Sequence, residues 1–73
     1  MTTLNERLKQ LRNEHHLSQK QLSDILKISS RNYQRYEYGE REPVASTLIT
    51  LADYFDVSLD YLVGRSETKE RQP

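Results

Sequence analysis

Residues Leu17 to Glu37, LSQKQLSDILKISSRNYQRYE, decide the fold. They read as two short amphipathic helices parted by Lys27, Ile28 and Ser29. Ser18 opens the first helix, Gln21 stands three residues on to complete a capping box, and Leu17 with Leu22 form a hydrophobic staple around the cap. Ser29 opens the second helix, and Ile28 with Tyr33 repeats the staple spacing. Outward positions on that second helix are Ser30, Arg31, Gln34, Arg35 and Tyr38, a polar and basic set. An α-helix is broad enough to enter the major groove of DNA, and a fixed helix pair can hold one helix there.

Both flanks continue in helices. Leu4, Leu8 and Leu11 fall at i, i+4 and i+7, which predicts a helix from Thr3 to about Glu14 with Glu6, Arg7, Lys9 and Arg12 on its remaining faces. His15 and His16 close it, and histidine tolerates the left-handed conformation that helix ends often need. Gly39 ends the third helix, and Pro43 introduces a fourth. Leu48, Leu51, Ala52 and Phe55 share one face and predict that fourth helix from about Ala45 to Phe55. Val57-Ser58 with Leu62 is a further staple, opening a fifth helix over Ser58 to Val63 that Gly64 terminates. The expected fold is all-α: a five-helix bundle around the central helix pair, forming one domain over residues 1–64. The stretch RSETKERQP, residues 65–73, has too little apolar surface to order itself and is expected to be a disordered polar tail or the start of a linker.

Composition narrows the function. Seventy-three residues make one small domain, with no cysteine and no metal-ligand set to staple it. The adjacent His15-His16 pair lacks the geometry and partners of a zinc site. No apolar run approaches the roughly 20 residues of a membrane span and the N-terminus lacks a signal-peptide pattern, so a soluble cytoplasmic protein is expected. Net charge is zero, but residues 1–41 carry eight Lys or Arg against five Asp or Glu, and residues 42–73 carry three against six. A basic N-terminal part would attract phosphate. There is no nucleophile–base–orienter set and no glycine-rich phosphate loop, so neither an enzyme, a cofactor nor a small-molecule substrate is expected. Helical spacing turns Tyr33 and Tyr36 inward, against a stacking platform for single-stranded nucleic acid.

The order of segments resembles the Cro/CI-type helix-turn-helix family of phage-repressor-like proteins, also called the XRE family, with the lambda-repressor-like fold. RLKQLRNEHHLSQKQLSDILKIS carries the likeness in the first half, and YEYGEREP with LADYFDVSLDYLVG in the second, together spanning roughly residues 4–64. The resemblance implies base contacts from Ser30, Arg31, Gln34 and Arg35. It also implies phosphate contacts from Gln19, Tyr38 and Arg41. Asn32, by its own position on the helix, reads as either structural or a further phosphate contact. Arg12 and Glu37 match a buried-edge ion pair that ties the first helix to the end of the third. Three positions depart from the family pattern: Lys27 where a glycine usually makes the turn, Tyr33 where Ile or Val is usual, and Val44 where a serine commonly caps the fourth helix.

These readings together predict a sequence-specific transcriptional regulator that binds double-stranded DNA, in the form of a homodimeric repressor. Dimerisation doubles a short readout and sets two half-sites about one helical turn apart, ~34 Å. Leu59, Tyr61, Leu62 and Val63 of the fifth helix are the expected dimer surface, unless they only cap the core. An antitoxin or a restriction–modification controller would use the same fold. A protein-interaction module without DNA binding is the alternative from another class, consistent with zero net charge.

Overall fold

Four of the five helices begin on a hydroxyl side chain that accepts a hydrogen bond from a backbone amide of the first turn. In the computed structural model, which describes residues 2–70, these helices are α1 (Leu4–Glu14), α2 (Gln19–Leu26), α3 (Ser30–Glu37), α4 (Ala45–Phe55) and α5 (Leu59–Leu62). Thr3 with Glu6, and Ser18 with Gln21, form complete capping boxes. The cap at Thr3 was not foreseen, because the apolar stripe marks the face of α1 and not its start. Val44 precedes α4 without a side-chain cap; Pro43, buried just before it, blocks any continuation from the preceding loop.

The turn between α2 and α3 is made by Lys27 in the left-handed conformation, at φ 59° and ψ 41°. A residue with a Cβ costs roughly 1–2 kcal/mol there, whereas glycine is nearly free of that cost but loses more chain entropy. Lys27→Gly is therefore expected to raise stability by about 0.5–1 kcal/mol, seen as a higher urea midpoint at unchanged slope. A lower midpoint would show that the lysine sits there without strain. His16 and Asp56 also take positive φ, at 56° and 55°. Gly64 is closed to any side chain: at φ 86°, a Cβ would fall 2.0 Å from the Thr2 carbonyl oxygen.

The core is built from Leu8 and Leu11 of α1, Leu22 of α2, Tyr33 and Tyr36 of α3, Leu51, Ala52 and Phe55 of α4, and Val57, Tyr61 and Leu62 at the C-terminal end. Helix α3 packs on α1 and α2, while α5 closes the bundle against α4 and α1. The tyrosines at 33 and 36 thus point inward, ring centroids 6.3 Å apart and nearly perpendicular. Within α5, Tyr61 and Leu62 are core residues and cannot also form a dimer surface. Leu59 is exposed and Val63 half-buried, because a single turn of helix has only one outward side.

Of the segment read as a polar tail, residues 71–73 lie outside the described residues. Residues 65–70 run back across α1 and α5, where the Ser58 amide donates to the Lys69 carbonyl at 2.9 Å. Glu67 and Lys69 reach Arg7 and Glu14 of α1, each at 3.5 Å. Beneath this segment Arg7 is 1 % exposed, its guanidinium 3.7 Å above the Tyr61 ring. Sequence spacing placed Arg7 on a polar face, and its aromatic partner lies too far along the chain to be foreseen.

Candidate nucleic-acid interface

Helix α3 is amphipathic in a way that separates holding from presenting. Tyr33, Tyr36 and Glu37 are buried and fix its orientation, while Arg31 is exposed and Asn32, Gln34 and Arg35 are half-buried on the remaining surface. Tyr38 caps its end at 64 % exposure, and Arg41 is exposed in the loop beyond. Among the described residues, no ion pair engages Arg31, Arg35 or Arg41. Three guanidinium forks are thus free to donate to an external acceptor.

Ser30 differs from its neighbours. Its hydroxyl lies 3.3 Å from that of Ser23, which is itself buried and donates to the Lys20 carbonyl at 2.8 Å. The side chain expected at a base edge therefore also joins α2 to α3. That contact is not legible in the sequence, because Ser30 reads as an outward position on the second helix and nothing in the spacing marks Ser23 as its partner.

At the opposite end of α3 the start of α2 is close by. The Gln19 amide nitrogen donates to Glu37 Oε1 at 3.2 Å, which sets Gln19 beside the end of α3, where Tyr38 and Arg41 follow. Capped by Ser18, the first turn of α2 offers backbone amides and the positive end of the helix dipole, favourable to an anion. Gln19, Tyr38 and Arg41 are thus brought to one end of the site, and Arg31 to the other.

Glu37 holds this end together. Arg12 of α1 donates to both of its oxygens, from Nε to Oε2 and from Nη2 to Oε1 at 3.2 Å, while Arg12 Nη1 donates to the Leu17 carbonyl at 2.8 Å. The expected Arg12–Glu37 pair is therefore present as a two-pronged contact, with side-chain exposures of 13 % and 2 %. Burial pushes the Glu37 carboxyl up, but interaction with Arg12, Tyr33 and Gln19 outweighs it and leaves the group below the ordinary carboxylate range. Burial and the neighbouring Glu37 charge push the Tyr33 phenol well above its usual range.

The sequence model of a helix-turn-helix family, HTH_3, matches residues 8–62. A Bacillus subtilis (strain 168) protein named as an uncharacterised HTH-type transcriptional regulator, YqaE, is 42 % identical over 66 residues, covering 90 % of this chain and 56 % of its own length. The cryptic phage CTXphi transcriptional repressor RstR of Vibrio cholerae is 38 % identical over 69 residues, covering 94 % of this chain and 62 % of its own. The chain spans about half the length of the curated relatives it matches. Among solved structures, the P22 c2 repressor in complex with a synthetic operator superposes with a TM-score of 0.82 over 90 % of this chain and all of that one, at 24 % identity. That likeness shows the fold, the lambda-repressor-like arrangement of five helices.

Proposed function

The chain belongs to the helix-turn-helix family HTH_3, and from that premise we propose that it is a transcriptional regulator binding specific sequences in double-stranded DNA. One observation carries the reading: α3 is fixed on one side by buried Tyr33, Tyr36 and Glu37, and on the other presents Arg31 and Arg35, which form no ion pair among the described residues. A rigid helix with unpaired arginine forks is what major-groove readout requires. In this account Arg31, Arg35 and Gln34 meet base edges, with Ser30 at the margin. Gln19, Asn32, Tyr38 and Arg41 grip phosphates.

The regulator acts as a homodimeric repressor in the cytoplasm; the regulator and repressor names of its relatives support the regulatory part of this reading. Exposed Ile49 and Leu59, with Ala52 and Val57, line a shallow groove between α4 and α5 that also carries Asp53, Ser58 and Asp60, and the apolar part of this surface would meet the second subunit. Such an arrangement supplies two recognition helices, where one alone contacts too few base pairs to discriminate.

Salt titration tests the DNA reading. With about four to eight phosphate contacts per dimer, log affinity for duplex should fall against log salt with a slope of roughly −4 to −7. Binding that ignores salt, or that is equalled by a neutral polymer, would instead favour a protein-interaction module, the reading to which zero net charge lends itself.

A further inference from the structure

Gln19, the side chain proposed to grip phosphate, is already engaged when no DNA is bound. Its amide donates to Glu37 Oε1, an oxygen that also accepts from Arg12. Turning Gln19 toward a phosphate removes a donor from a carboxylate whose side chain is 2 % exposed, and a buried charged acceptor tolerates that loss badly. One turn earlier on α3, Tyr33 is completely buried. Tyr33 and Glu37 are buried on the same side of α3, and the Tyr33 hydroxyl stands close enough to the carboxylate and to Arg12 to interact with both, yet it makes no hydrogen bond of ordinary geometry with any protein atom. A buried hydroxyl left in that state calls for an explanation.

We propose that Tyr33 is a positioning residue whose hydroxyl is the reserve donor to Glu37, taking the place of Gln19 when that side chain turns to a DNA phosphate. The phenolic hydroxyl can act as a donor, its hydrogen taking either of two positions in the ring plane, so only a small shift is needed for it to reach the vacated lone pair. Glu37 then keeps Arg12 and the end of α3 in place while Gln19 is released. An aliphatic side chain at this position could pack equally well but could not donate. The proposal rests on the DNA-binding reading given above.

Tyr33→Phe keeps the ring and removes only the hydroxyl. The free protein should be as stable as the parent or more so, because an unpartnered polar group is lost, while affinity for duplex at fixed salt should drop about tenfold. In a Gln19→Ala background the same change should produce no further loss. Equal affinity of Tyr33→Phe and the parent would overturn the proposal. So would a loss that persists undiminished without Gln19, or a fall in denaturation midpoint, which marks a purely structural role. A DNA-free arm separates this from the DNA reading itself: in Gln19→Ala the Tyr33 hydroxyl proton should become protected and visible by NMR. A parent protein that binds no duplex defeats the DNA reading, and an unprotected proton in Gln19→Ala defeats the reserve donor.

Discussion

Arg31→Ala or Arg35→Ala should weaken binding to the cognate operator by about 1–3 kcal/mol per half-site, roughly 5- to 150-fold, and a dimer compounds the loss. A scrambled duplex should lose far less, and preference at one base position should relax. The expectation follows from where the two side chains stand. Both lie on α3, neither is in an ion pair among the described residues, and they are four residues apart, so they share a face. A bidentate fork on guanine loses two hydrogen bonds when truncated and leaves base acceptors unpaired in a partly dehydrated groove. Gln19→Ala should behave differently, weakening all duplexes by a similar factor, since a phosphate carries no sequence. Affinities for the two duplexes at one salt concentration distinguish these outcomes. Equal losses on both would make the arginines phosphate anchors and leave specificity to Gln34, Ser30 or DNA shape.

Glu37→Ala should cost about 2–3 kcal/mol of folding stability, at or just below the lower end of the roughly 3–5 kcal/mol that breaking a buried pair costs. Arg12 would lose both of its carboxylate contacts, but it keeps the Leu17 carbonyl and a little solvent access. Gln19 would lose its partner as well. A double-mutant cycle with Arg12→Ala checks the pairing, because additive effects would mean the two side chains are uncoupled. The pH dependence gives an independent check. Folding lowers the Glu37 carboxyl below its ordinary range, so its stabilisation is complete above that range and disappears as pH falls through the lowered folded value. The gap between the parent and Glu37→Ala should therefore be widest near neutrality and narrow in acid.

Where local chemistry fixed the structure, the sequence was readable. The serine caps at 18, 29 and 58 each combine a hydroxyl with a hydrophobic staple, and the helices begin there. Lys27 takes the left-handed turn and Tyr33 is buried on the inner side of α3, at two of the positions that depart from the family pattern. What stayed hidden depended on residues distant in the chain. Arg7 looks like one more surface charge until Tyr61 and the returning segment cover it. The bond from Gln19 to Glu37 spans 18 residues, and no spacing rule links a helix start to the end of the next helix. Tyr61 and Leu62 are readable as apolar, but the sequence leaves them between dimer surface and core, because one turn of helix has too short a pattern to show which side faces inward.

Selection of bound sequences from a random duplex pool tests the central claim most directly. A fixed pair of α3 helices should enrich an inverted repeat whose half-site centres lie about 10 base pairs apart, with guanine at a position whose preference relaxes in Arg31→Ala or Arg35→Ala. A pool that emerges no different from its input would contradict the claim that this chain reads DNA sequence through α3.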